Sequence, residues 1–226
     1  MHLPAGPYLM LYTNSRSGLT VSALTQTVYI VDDEESIRTS LSRLLTAAGI
    51  PCQAFSSADA YVETGPQVAA GCLLLDLTMP GCSGLKLQER LARTERALPV
   101  IFLTGNGDVP SSVRAMKSGA VDFLTKPVAK NQLLAAIRTA FERDDASRKH
   151  EAVQVDLRHR LSRLTPREEQ VIRLVARGLL NKQIAAELGT VEKTVKVHRA
   201  RALAKLEINS VAELVLLLER LDPVPV

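Results

Sequence analysis

Three aspartates, a threonine and a lysine stand where short apolar runs of this chain end. Asp32 and Asp33 follow Thr27–Val31, Asp76 follows Gly71–Leu75, and Thr104 follows Pro99–Leu103, while Lys126 comes just after Val121–Leu124 with Pro127 behind it. Carboxylates gathered in one place repel each other and need a cation. A hard, oxygen-preferring ion such as Mg²⁺ suits them, because it keeps some waters and can later take a phosphate oxygen. In that setting Asp76 is a nucleophile awaiting a phosphoryl donor. Lys126 would neutralise one phosphate oxygen as a point charge, and Thr104 would donate a hydroxyl hydrogen bond to another. Each residue alone has a plainer reading: an Asp-Asp pair after a strand caps a helix, and an Asp after Leu-Leu-Leu ends in a turn. Their conjunction at successive run ends favours the chemical reading.

A second constellation is basic. If Glu192–Leu206 is helical, at about 100° per residue Val195, His198, Ala202 and Leu206 share one side and pack inward. Lys193, Lys196, Val197, Ala200, Arg201 and Ala204 spread over the other side. Lysine and arginine neutralise phosphates and, aimed at base edges, read guanine; Val197 suits a thymine methyl. Glu192 is the only acid in this stretch and lies at its N-terminus, where the helix dipole favours it. A merely solvated basic face is the alternative. Against it stands the preceding element, Asn181–Leu188 with Ile184, Ala185 and Leu188 apolar, followed by a tight Gly189-Thr190-Val191 turn. That is the pattern of a helix-turn-helix whose second helix can enter a major groove.

Positioning these residues requires a parallel sheet and a helical cluster. Five times from Thr27 onward a short apolar run, Thr27–Val31, Pro51–Phe55, Gly71–Leu75, Pro99–Leu103 or Val121–Leu124, is followed by an amphipathic stretch. The runs read as strands, and helices begin near Ser36, Ser57, Gly84, Val109 and Lys130. In an open parallel sheet the carboxyl ends of the strands form one rim, so residues far apart in sequence converge there. After Phe141 the chain turns charged, and Leu157, Leu161 and Leu164 imply a partly helical linker. Thr165-Pro166-Arg167-Glu168 is a helix start with a capping box. Gly178 ends that helix, Asn181 caps the next, Gly189 ends it, and Ser210 caps a last one that Pro223 terminates. The organisation expected is a leader over residues 1–25, lacking fixed structure or reflecting a start codon assigned too early, then a sheet domain over 26–142. A linker over 143–162, a helical domain over 163–222 and a tail over 223–226 complete it.

The bulk properties agree with two small domains. Of 226 residues 46% are hydrophobic and 23% charged, enough for ordinary cores, and no apolar run approaches the ~20 residues of a membrane span. Residues 1–145 hold 13 Lys+Arg against 14 Asp+Glu, whereas residues 146–226 hold 15 against 10, so the basic excess lies in the C-terminal third. Cys52, Cys72 and Cys82 form no C-x-x-C pair, which argues against a zinc site or a disulfide framework and fits a reducing cytosol. No G-x-G-x-x-G or G-x-x-x-x-G-K-[ST] follows the first strand, which disfavours the competing reading of a nucleotide-using α/β enzyme. A domain whose output binds protein or RNA instead of duplex DNA is a further alternative.

Over about Thr27–Phe141 the segments V-Y-I-V-D-D-E, L-L-L-D-L-T-M-P-G-C-S-G-L, V-I-F-L-T-G-N-G-D-V-P and G-A-V-D-F-L-T-K-P resemble the receiver domain of bacterial two-component systems, of the FixJ type. The segments L-T-P-R-E-E-Q-V-I-R-L-V-A-R-G, N-K-Q-I-A-A-E-L-G and T-V-K-V-H-R-A-R-A-L-A-K-L resemble the LuxR/FixJ/NarL-type DNA-binding domain. The resemblance implies a flavodoxin-like (βα)5 receiver with a five-stranded parallel sheet in order 2-1-3-4-5, joined to a four-helix, all-α helix-turn-helix domain. It implies that Asp76 accepts the phosphoryl group, that Asp33, Asp76 and the Thr78 backbone carbonyl hold Mg²⁺, and that Asp32 supports the ion through water. Thr104 and Phe123 would be the switch pair. Lys196 and Val197 would face bases, with Lys193, Thr194, His198, Arg199, Arg201 and Lys205 as backbone contacts. On the wheel Arg199 falls beside the buried side, where it would reach a phosphate or pair with Glu168 or Glu169. Ala200 departs from members with a basic residue there, so base preference does not carry over. The implied protein is a cytoplasmic transcription regulator, not an enzyme. Its implied partners are a sensor histidine kinase, double-stranded DNA, RNA polymerase and, on phosphorylation, a second copy. On the last helix Val211, Leu214, Val215 and Leu218 form a stripe, and Leu216 and Leu217 add apolar surface that a symmetric dimer would cover.

Overall fold

The computed structural model describes residues 25–66, 70–93, 97–105 and 109–221. Apart from Thr25, the expected leader lies outside these residues, as do the tail and Pro223. The chain divides into two compact units, Met1–Asp145 and Ala146–Val226.

In the first unit β1 (Thr27–Val31), β2 (Cys52–Phe55), β3 (Gly71–Asp76), β4 (Val100–Thr104) and β5 (Asp122–Thr125) form a parallel sheet in the order β2-β1-β3-β4-β5. This is the expected order. Between and after the strands come α1 (Glu35–Ala47), α2 (Ala58–Thr64), α3 (Gly84–Leu91), α4 (Val109–Lys117) and α5 (Lys130–Ser162). β2 and β4 begin one residue later than the apolar runs suggest. Pro51 and Pro99 accept from Val28 and Leu73 at 2.9 Å but have no N–H to continue the ladder. Tyr29, Val31, Leu73, Leu75 and Phe102 pack on one side with Leu87 of α3 and Ala115 of α4. Val28, Ile30, Leu74, Ile101 and Leu103 pack on the other with Leu41 and Leu45 of α1 and Leu133 and Ile137 of α5. Covering both faces is why the central strands read as unbroken apolar runs instead of alternating.

The stretch expected to be a partly helical linker, residues 143–162, is helical throughout, as part of the 33-residue α5. No glycine or proline interrupts it, and an i,i+4 pair such as Asp156–Arg160 at 2.8 Å supports the helix where apolar residues are sparse. Asp144, buried on this helix, accepts from the Gly71 N–H at 3.0 Å, and Gln26 donates to the Phe141 carbonyl and to Asp145 at 3.1 Å each. These contacts tie the first unit's share of α5 to the start of the sheet. Gly71 has φ +125°, and a Cβ there would stand 1.9 Å from the Thr27 carbonyl oxygen.

The second unit contains α6 (Pro166–Ala176), α7 (Asn181–Glu187), α8 (Glu192–Leu206) and α9 (Val211–Leu221). Val171, Ile172 and Val175 of α6, Ile184 of α7, Val195, Ala202 and Leu206 of α8 and Leu214 of α9 make its core. The expected capping box opens α6: Glu168 N–H donates to Thr165 Oγ1 at 3.3 Å, and Thr165 N–H donates to Glu168 Oε2 at 2.9 Å. The expectation that Asn181 caps α7 is corrected, because Leu180 is the N-cap and its N–H is taken by Gln183 Oε1 at 2.8 Å. Leu217 is also corrected: it is buried, and Leu216 is the exposed residue of the pair, at 55%.

Glu168 is 97% buried (3% exposed) and carries a second duty, accepting from Lys205 Nζ at 2.6 Å. That ammonium, with the Thr165 N–H, holds its carboxyl down at about 2 against an ordinary 4.5. A depressed carboxylate contributes stability above its unfolded value and loses it as pH falls through the folded one. The second unit is therefore expected to weaken progressively between about pH 4.5 and pH 2. Hydrogen exchange at the Val171 and Ile172 amides checks this, and Glu168→Gln should flatten the dependence. In the first unit, Gly71→Ala should cost more than about 2 kcal/mol, read from the unfolding midpoint. Gly49→Ala, at φ +71° but in open space, should cost only about 1 kcal/mol.

Candidate functional site

Strand order reverses beside β1, where β2 and β3 lie on either side of it, and the loops leaving β1 and β3 diverge there to leave a crevice. Asp32 comes directly after β1, Asp76 closes β3, Thr104 closes β4 and Lys126 follows β5. The expected convergence is present at its centre. Lys126 Nζ lies 2.7 Å from Asp32 Oδ2 and 2.7 Å from Asp76 Oδ1, with Glu34 Oε1 farther off at 3.6 Å. Asp32 and Asp76 are both buried. The strand ends are locked to each other by Leu77 N–H to the Leu103 carbonyl at 2.9 Å and Lys126 N–H to the Thr104 carbonyl at 2.7 Å.

Burial pushes the Asp76 carboxyl upward and outweighs the Lys126 ammonium and the Thr78 N–H, which donates to Asp76 Oδ2 at 2.8 Å. For Lys126 burial works against the charged form, yet the two carboxylates prevail and hold its pKa above the ordinary value. The ammonium therefore stays charged and balances two acids. Asp33 is exposed. Thr104 is buried at the same rim, and the half-buried Phe123 ring sits 6.5 Å from that of Phe102.

A divalent cation suits these donors in kind, since carboxylate and carbonyl oxygens are hard ligands. Asp32 Oδ2 is fully buried with no hydrogen-bond donor of adequate geometry, and the Lys126 ammonium compensates it electrostatically. Among the described residues, however, no three His, Cys, Asp or Glu side chains gather closely enough to hold an ion together.

Three supporting residues escaped the sequence reading. Arg38, one turn into α1, donates to the carbonyls of Asp32 and Asp33 at 2.8 Å each and so fixes the acidic loop. Glu34 N–H donates to Asp32 Oδ1 at 3.0 Å. Gly84 was read only as a helix start, but a Cβ there would stand 2.3 Å from the Asp76 carbonyl oxygen and 3.0 Å from the Phe102 ring. Glycine is needed because α3 starts directly against the nucleophile's backbone.

In the second unit Lys193, Lys196, Val197, Ala200, Arg201 and Ala204 are all exposed on α8, the face read from the wheel. Thr194, His198, Arg199 and Lys205 are half-buried. Lys205 is held by Glu168, and Arg199 Nη1 donates to Asn181 Oδ1 at 3.3 Å. The expected pairing of Arg199 with Glu168 or Glu169 is thus replaced, Glu169 being engaged by Arg173 at 2.8 Å. Arg167 Nη2 donates to the Leu188 carbonyl at 2.6 Å, anchoring the turn between α7 and α8 to α6.

Comparison with known proteins agrees with both halves. Residues 28–138 match the response regulator receiver domain, and residues 162–218 match the luxR family of bacterial regulatory proteins. Nodulation protein W of Bradyrhizobium diazoefficiens is 42% identical, with 91% of each chain covered. The response regulator protein TmoT of Ectopseudomonas mendocina is 43% identical over 86% of this chain and 88% of that one, and the transcriptional regulatory protein FixJ of Rhizobium meliloti is 43% identical over 84% and 93%. Among solved structures, the response regulator StyR aligns with a TM-score of 0.77 at 44% identity, covering 87% of this chain and 99% of that one. Full-length FixJ from B. japonicum aligns with a TM-score of 0.54 at 38% identity, covering 89% and 100%. With a receiver in front of a LuxR-type helix-turn-helix, the chain belongs to the two-component response regulators of the FixJ/NarL/LuxR type, which regulate transcription and are not enzymes.

Proposed function

We propose that a sensor histidine kinase passes a phosphoryl group to Asp76 and that this modification controls how α8 is presented to an operator. An Asp76 carboxylate oxygen attacks phosphorus as the P–N bond to the kinase histidine breaks, and the departing imidazole takes up a proton. Asp33, Asp76 and the Thr78 carbonyl would hold Mg²⁺, with Asp32 supporting it through water, and the ion supplies charge to offset that developing on the phosphoryl oxygens. Lys126 pairs with one of those oxygens, and Thr104 donates its hydroxyl to another. The phosphoryl oxygens offer Lys126 and Thr104 a further acceptor, so Thr104 moves toward them and Phe123 turns into the space left behind. The face made by α4, β5 and α5 then rearranges and pairs with a second copy, which suits an operator of two half-sites.

Lys196 and Val197 face the bases, Lys193, Thr194, His198 and Arg201 serve the backbone, and Arg199 and Lys205 join them once released from their protein partners. RNA polymerase is the downstream partner of a regulator bound to a promoter. A protein acting on chromosomal DNA belongs in the cytoplasm. Domain bounds of 26–142, 143–162 and 163–222 accompany this reading, with α5 joining the two functions.

The observation that carries the proposal is the double contact of Lys126 Nζ with Asp32 and Asp76, 2.7 Å each, at the carboxyl rim of the sheet. Incubated with a radiolabelled small phosphodonor and Mg²⁺, the protein should take up label, and Asp76→Asn should reduce it to background. Undiminished labelling of that variant overturns the assignment. On a duplex selected from a random-sequence pool, Lys196→Ala should weaken binding roughly five-fold or more and reduce the salt slope by about 1. Unchanged affinity across salt concentrations counts against a groove-facing Lys196.

A further inference from the structure

The DNA-facing side of α8 contains one acid. Glu192, the first residue of the helix, is 46% exposed, and its Oε1 lies 2.9 Å from Lys196 Nζ, itself 62% exposed. At about 100° per residue Glu192 lies about 40° from Lys196 around the helix, at the edge of the exposed face that runs through Ala200, Lys193 and Val197 to Arg201. Dipole compensation and a surface i,i+4 pair explain its tolerance. They do not remove what it does near DNA. A carboxylate at a groove-entering helix start is repelled by phosphates, and it holds the very cation expected to reach a base.

We propose that Glu192 is a specificity-determining residue of the DNA interface: by holding Lys196 and repelling phosphates it penalises binding to arbitrary duplex. The penalty is offset only where a cytosine amino group is presented to the carboxylate and a guanine edge to Lys196. Non-specific affinity comes almost wholly from cations meeting phosphates. One face acid therefore costs more on a random duplex than on a sequence whose exposed amino group donates to it, and discrimination rises as gross affinity falls. Lys193 and Arg201, also on this face, have no ion pair with an acid among the described residues, so Glu192 bears on Lys196 specifically.

This inference rests on α8 reading duplex DNA, and the test separates the two. Full-length protein, with and without a small phosphodonor and Mg²⁺, is titrated against a random-sequence duplex and against a duplex selected by the wild type, each at low and moderate salt. Glu192→Gln keeps the side-chain length and removes the charge. Glu187→Gln removes an equal charge from the end of α7, an exposed position outside the α8 face. The expected result is that Glu192→Gln tightens random-duplex binding roughly three- to ten-fold at low salt with a steeper salt slope. Its affinity for the selected duplex should change less or fall, and reselection should lose a cytosine preference at one position, while Glu187→Gln matches the wild type. Equal affinities and an unchanged selected sequence for Glu192→Gln overturn the proposal, as does an identical shift from Glu187→Gln. Wild type that binds no duplex under any condition removes the DNA reading of α8, and this inference with it.

Discussion

One ammonium group held between two buried carboxylates organises the first unit. Asp32 and Asp76 come from adjacent strands, and neither is cheaply ionised out of water unless a cation is close. Lys126 supplies it from the far side of the sheet. The arrangement demands that β1, β3 and β5 end at matching heights, which the pairing of Val31 with Leu75 and the bonds from Leu77 to Leu103 and from Lys126 to Thr104 provide. It also requires an apolar sheet interior, which Leu73, Leu74 and Leu75, all fully buried, provide beneath the rim. The same pairing makes the site responsive: a group that adds charge at Asp76 brings new acceptor oxygens within reach of an ammonium that already balances two carboxylates.

The second unit solves a different problem, presenting cations without destabilising a small core. Val195, Ala202 and Leu206 commit one side of α8 to the interior, and small residues at Ala200 and Ala204 keep the other side shallow. Glu168 ties this presentation to helix starting. It completes the cap of α6 and neutralises Lys205 at the far end of α8, so one buried acid serves both local and tertiary structure. Arg167 and Asn181 secure the turn and the start of α7 in the same economical way, each bonding across elements. The cations left exposed on α8 are Lys193, Lys196 and Arg201, with Lys196 checked by Glu192.

Much of this was legible from residue order alone. Strand and helix periodicity, the Thr165-Pro166-x-Glu168 start and the glycines after helices are local effects, decided within a few residues by backbone sterics and nearest hydrogen bonds. The convergence of Asp32, Asp76 and Lys126 was legible too, because all parallel strands point their carboxyl ends the same way. So was the exposed face of α8, where 3.6-residue periodicity alone separates core from surface.

Tertiary structure decided what depends on contacts distant in sequence. Leu180 rather than Asn181 caps α7, its N–H held by Gln183, while the Asn181 oxygen accepts from Arg199, 18 residues away. Lys205 turns to Glu168 across 37 residues, and Asp144 reaches Gly71 across 73. Residues 143–162 were expected to be only partly helical because the run after Phe141 is nearly all charged or small and apolar spacing starts only at Leu157, yet charge pairing and an absence of helix breakers sustain α5 throughout. Composition and spacing name the side chains that can react or bind. Which partner each takes is settled by competition among groups that only the folded chain brings within hydrogen-bonding reach.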